Sequence, residues 1–170
     1  FMKKFTLFLS ALLISAMSFA ETATLTLEAQ CAGAGTDDKG NASVVTSDAE
    51  ETQYDATKGI HYGSGNKAVS FLQVSTQAIT SSVTKVVVNA SGASKTAGKL
   101  TVTVGGVSLG SEVSLTSTAT EYTFEGNATG EIVVKLSQES AKNALYVKSV
   151  AVTYGDDSGE NPGEDPGEEQ

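Results

Sequence analysis

Arginine and tryptophan are absent from this 170-residue chain, and histidine and cysteine occur once each, as His61 and Cys31. Each absence removes a class of function. Without the guanidinium fork, and with a formal net charge of -9, the chain is ill suited to gripping phosphate backbones. Direct nucleic-acid binding is therefore not expected. One imidazole and one thiol cannot assemble a clustered zinc site or a disulfide framework. Aromatic residues make up only 6% of the chain, and there are two prolines. No apolar run reaches the ~20 residues that span a bilayer, so no membrane span is expected.

What is present falls into three parts. Met2 reads as the natural start, with Phe1 as a residue left in front of it. Lys3 and Lys4 precede an apolar run over residues 5–17, and Ser18-Phe19-Ala20 is a small-x-small site. Residues 1–20 therefore read as a secretory signal peptide cleaved after Ala20, which places the mature protein outside the cell or on its surface. Cys31 lies too far beyond that run to be lipidated and is assigned no role. At the other end, residues 155–170 read GDDSGENPGEDPGEEQ and hold both prolines and seven of the acids. Such a segment cannot bury enough surface to offset its ordering entropy and is expected to be a disordered, self-repelling linker. Spacers connect, so a natural product continuing past Gln170 is an expectation.

Between these ends, residues 21–154 carry nine lysines and thirteen acids. Short runs of Val, Thr, Leu and Ile alternate with Gly, Ser, Asn and Asp clusters, the pattern of strands and turns. Leu25 and Leu27 share a parity, as do Val86 and Val88. So do Leu100, Val102 and Val104, then Tyr122 and Phe124, then Ile132, Val134 and Leu136. Gly105-Gly106 marks a two-residue hairpin turn into Val107 and Leu109. In the last segment Leu145 and Val147 share one parity, whereas Val150, Val152 and Tyr154 share the other. That change requires a bulge near Lys148-Ser149, or burial of both faces. Residues 30–56 offer only Val44-Val45 as an apolar pair, and loops are expected to dominate there. The pattern predicts an all-β fold, an antiparallel β-sandwich of jelly-roll type.

Catalytic chemistry finds little support. Any Ser/His/Asp triad would have to be built around His61, and no spacing singles out a pair of carboxylates for glycoside hydrolysis. Residues 63–67, GSGNK, lack the Walker spacing and the helix a phosphate loop needs. Asp37-Asp38-Lys39-Gly40-Asn41 reads as a hydrophilic turn, with a structural calcium left open. No catalytic residue, no metal ligand and no other cofactor is assigned, so the chain is expected not to be an enzyme. The Asn-x-Ser/Thr triplets at Asn41, Asn89 and Asn127 read as coincidence beside a bacterial-looking signal. Sugar binding needs flat apolar faces and a few polar groups in a concave site. Tyr54, Tyr62, Tyr122, Tyr146 and Tyr154 are the available platforms; with Tyr122 and Tyr154 on core parities, His61, Tyr62 and Asn66 form the ligand-binding candidate.

Several phrases carry a family resemblance: GIHYGSGNKAVSFLQV at 59–74, VTKVVVNASG at 83–92, KLTVTVGG at 99–106, TEYTFEG at 120–126 and ALYVKSVAVTYG at 144–155. They resemble a small β-sandwich accessory domain that recurs in secreted bacterial multidomain proteins, beside endonuclease I-type nucleases, other secreted hydrolases and surface lipoproteins. The resemblance implies a non-catalytic module and supplies no catalytic residues to carry over. The expected function is a secreted accessory module for carbohydrate or another extracellular polymer. The alternatives are a structural or adhesive surface domain, or the front of a longer hydrolase or nuclease whose catalytic part would lie beyond residue 170.

Overall fold

The computed structural model describes residues 20–27, 34–50, 52–95 and 98–155. The signal segment before Ala20, Cys31 and the acidic stretch after Gly155 lie outside the described residues. Among the described residues, thirteen strands make two antiparallel sheets that pack face to face, the β-sandwich that the alternation predicts.

The first sheet contains β1 (Glu21–Thr26), β4 (Thr52–Asp55), β5 (Gly59–Tyr62), β7 (Ile79–Gly92), β11 (Thr120–Gly130) and β13 (Leu145–Tyr154). Its order is β11-β7-β13-β5-β4, with β1 also pairing β13. The second sheet contains β2 (Ala34–Thr36), β3 (Ala42–Ser47), β6 (Val69–Thr76), β8 (Lys99–Val104), β9 (Val107–Ser108), β10 (Val113–Ser114) and β12 (Ile132–Ala141). Its order is β10-β8-β12-β6-β3-β2, and β9 pairs β8.

Because successive side chains on a strand point to opposite faces, pairing register stacks like with like. Val45, Val74, Val134 and Val102 are direct neighbours across β3, β6, β12 and β8, and all four are buried. On the facing sheet Phe124, Val86, Val152 and Ala23 form the matching row. The β8–β9 hairpin turns at Gly105-Gly106, whose φ values of 56° and 82° fit the two-residue turn that matches strand twist. Leu109 is buried beyond it, whereas Val107 is 61% exposed, since two-residue β9 has no sheet neighbour beyond β8.

The parity change in β13 is a bulge, with the register shifting between Val147 and Ser149. Leu145 and Val147 before it, and Val150 and Val152 after it, are all buried. The bulge also marks where one neighbour of β13 gives way to another. β5 pairs with residues 145–147 and β1 with residues 149–154, and the Leu27 N–H donates to the Lys148 carbonyl at 2.9 Å. Loops were expected to dominate residues 30–56, but β2, β3 and β4 lie there. These strands are short and mostly polar, and pairing with β6 and β5 holds them where apolar periodicity does not.

Candidate functional site

Strand alternation sorts β5 and β13 into an inner and an outer set. Leu145 and Tyr62 are paired and buried, as are Val147 and Ile60. The residues between them, Tyr146 and His61, are paired on the outer face, and Gln53 of β4 continues their row. This row floors a cleft of about 390 Å³ at one end of the sandwich, lined further by Ser64, Lys142, Asn143 and small residues of the three adjoining loops.

The His61 and Tyr146 ring centroids lie 4.6 Å apart, with the planes tilted by 40°. The Lys58 ammonium sits 4.8 Å from the Tyr146 ring centroid, within cation–π reach, and donates to the Ser117 carbonyl at 2.9 Å. The turn before β5 sets this position: the Asp55 carboxylate accepts the N–H groups of Thr57 at 2.8 Å and Lys58 at 2.9 Å. The Lys58 N–H bond, then that from Thr57, holds the Asp55 pKa below the ordinary carboxylate value.

His61 Nδ1 lies 3.3 Å from the Gly63 carbonyl oxygen. A carbonyl only accepts, so this bond places the proton on Nδ1 and leaves Nε2 an acceptor. Burial lowers the His61 pKa below its usual 6.5 and outweighs the Gly63 carbonyl and Asp55, which favour the cation. Burial, followed by the negative charge of Asp55, raises the Tyr146 pKa and keeps the phenol a donor. The cleft thus offers an aromatic floor with a phenol, an imidazole acceptor, an amide and an ammonium. A polyhydroxylated ligand can use each of these. Among the described residues the hydrogen bond of His61 is to a backbone carbonyl.

The structure separates the three expected binding residues. His61 lines the cleft. Tyr62 is only 7% exposed and belongs to the core, because the residue after an outward His61 must point inward. Asn66 is exposed on the β5–β6 loop, where its N–H donates to Ser64 Oγ at 3.2 Å, and it does not line the cleft. Tyr146, Gln53 and Lys142, which line the cleft, and Lys58, over the Tyr146 ring, lie outside the expected set. The parity of Leu145 and Val147 alone marks Tyr146 as outward; the other three depend on which strands and loops meet.

In the loop considered for calcium, Asp37 Oδ1 accepts the N–H groups of Lys39 and Asn41, and Oδ2 accepts the Asn41 side-chain amide. Asp38 accepts the Thr24 N–H at 2.7 Å. These carboxylates close a turn with N–H donors, and no group of three or more metal-ligating side chains occurs among the described residues.

The His61 pKa has a measurable consequence. A folded-state value below the unfolded value means that the unfolded chain binds the proton more readily. Stability is then fully present above about pH 6.5, the unfolded pKa of histidine, and declines as pH falls towards the lowered folded value. His61 is the only histidine, so no other side chain confuses that window. Urea midpoints should fall between about pH 7.5 and about pH 5.5, and the fall should shrink in His61→Gln. Equal pH dependence in both proteins would contradict the burial of His61.

No protein-family model matches the sequence, and no curated protein is similar to it. Among solved structures, the chain is similar to the CBM35 module of Cellvibrio japonicus Abf62, at 20% identity and a TM-score of 0.47, covering 78% of this chain and 92% of that one. It is similar to the C-terminal CBM6 of LamC, a marine laminarinase from Zobellia galactanivorans, at 16% identity and a TM-score of 0.45, covering 76% of this chain and 98% of that one. A CBM36 carbohydrate-binding module in complex with calcium and xylotriose aligns at 20% identity and a TM-score of 0.40, covering 65% of this chain and 98% of that one.

Proposed function

We propose that this chain is a non-catalytic, exported accessory module that binds carbohydrate or another extracellular polymer at the Tyr146–His61 cleft. One observation carries the reading: two rings paired 4.6 Å apart floor a polar, open-ended cleft. Pyranose rings present an apolar face and a hydroxyl rim, and an aromatic ring bordered by donors and acceptors complements both. The signal-like residues 1–20 support export, and the acidic residues 155–170 support a tether to something else.

Affinity electrophoresis of the full chain through gels containing neutral and charged polysaccharides tests this. Retardation by at least one polymer is expected. Tyr146→Ala should weaken it by at least about tenfold, as for an anchor aromatic at the centre of a contact, while circular dichroism stays unchanged. If no polymer retards the wild type, or the variant is retarded equally, the reading is wrong. Cell-surface or matrix association without any polymer binding would instead favour a structural or adhesive domain.

A further inference from the structure

The cleft differs in charge from the rest of the molecule. The chain carries 20 acids against 11 lysines, yet no carboxylate lines the cleft among the described residues. Glu21, Asp37, Asp38 and Glu131 belong to strand ends and turns at the opposite end of the sandwich. The acidic residues 155–170 also begin there, where the Gly155 N–H donates to the Ser82 carbonyl.

Two ammonium groups address the cleft floor from either side. Lys142 lies on the β12–β13 turn, lines the cleft, is exposed and makes no ion pair with any described residue. Its turn is fixed from below. The Gln138 side-chain amide donates to the Asn143 carbonyl at 2.8 Å and to the Val69 carbonyl at 3.1 Å, and the Ala93 N–H donates to the Ala144 carbonyl at 2.9 Å. Lys58 approaches from the β4–β5 turn and holds its ammonium over Tyr146. Along β13 the turn bearing Lys142 precedes Tyr146, whereas Gly59, next to Lys58, abuts Val147 and Lys148 beyond it. Tyr146 therefore lies between two cations along the strand. Asp55, the acid that acts on both His61 and Tyr146, already accepts two backbone N–H groups.

Lys58 shares the field of the Asp55 carboxylate on its own turn, whereas a neutral glycan leaves the Lys142 ammonium without a counter-charge among the described residues. We propose that the cleft selects an anionic glycan, whose carboxylate or sulfate groups meet Lys142 and Lys58 while a sugar ring lies on Tyr146. This rests on the carbohydrate reading above and names the class of polymer. With a net charge of -9, the protein as a whole repels a polyanion, so retention by one requires a local cationic site.

The test is affinity electrophoresis of the full chain in polygalacturonate, dextran sulfate, xylan and laminarin. Stronger retardation by one or both polyanions is expected, and those two gels separate carboxylate from sulfate recognition. Lys142→Met and Lys58→Met keep the aliphatic stem and remove the charge. Each should weaken polyanion retention about three- to fivefold, as for a partly exposed ion pair. Lys85→Met, at the far end of the sheet, should leave it unchanged. Preference for xylan or laminarin with Lys142→Met unaffected would overturn the anionic specificity and leave the carbohydrate reading standing. Retardation by no polymer would remove both. An equal loss in Lys85→Met would show diffuse attraction and overturn the site.

Discussion

Val134→Asp should prevent folding. Val134 is fully buried at the centre of the second sheet, directly between Val74 of β6 and Val102 of β8, themselves buried. Removing its side chain from the core forfeits about 1.5–3 kcal/mol of apolar burial. The carboxylate adds a larger cost, since none of these neighbours can hydrogen-bond or neutralise it. Protonation avoids the isolated charge but leaves a buried polar group worth several kcal/mol more. A domain with about 5–15 kcal/mol of net stability cannot absorb that sum. Val107→Asp is the control: it places the same charge on the second sheet at a residue 61% exposed, and its midpoint should move little. Far-UV circular dichroism and urea titration of the two variants give the comparison. A folded Val134→Asp protein with a near-native midpoint would mean that β12 is not central.

Reading the strands from sequence succeeded where one face is buried and the other wet. Val86 and Val88, then Leu100, Val102 and Val104, then Ile132, Val134 and Leu136 each share a parity, and all are buried, while Val87 and Val133 on the other face are only half-buried. Even the irregularity of β13 was legible, because a switch of apolar parity within one strand needs an extra residue at the switch. The polar strands were not legible. β2 has no apolar residue larger than alanine, and β4 has only Tyr54, 44% exposed. Their pairing comes from neighbours distant in sequence. The same limit governs the site. His61, Tyr62 and Asn66 were grouped because they are close along the chain, but closeness along a strand puts alternate residues on opposite faces. What matters is closeness across strands, which joins Gln53, His61 and Tyr146 and brings Lys58 over the tyrosine ring. Parity alone turns Tyr62 inward with Ile60 and Tyr146 outward between Leu145 and Val147.

Gly59→Ala should destabilise the domain by several kcal/mol and loosen the cleft at the same time. Gly59 begins β5 with φ of 89°, a conformation that costs an L-residue about 1–2 kcal/mol. Space is the harder constraint. A Cβ there would lie 2.2 Å from the Val147 carbonyl oxygen and 2.4 Å from the Lys148 Cα, both backbone atoms of the β13 bulge. Neither can swing aside as a flexible side chain would, so β5 must withdraw from β13 or the bulge must reshape. The same pairing sets His61 opposite Tyr146, so the ring pair loses its register with the strand. Gly65→Ala is the matched control, since a Cβ there meets nothing within 4 Å and its φ is not in the left-handed range. Thermal melts should show Gly59→Ala lower by on the order of 10 °C, with Gly65→Ala within a degree or two of wild type. The surviving folded fraction of Gly59→Ala should also lose polymer retention in the gels that retard the wild type. If its melting temperature matches that of Gly65→Ala and its retention matches that of the wild type, then Gly59 does not seat β5 against the bulge, and the His61–Tyr146 pair is held by something else.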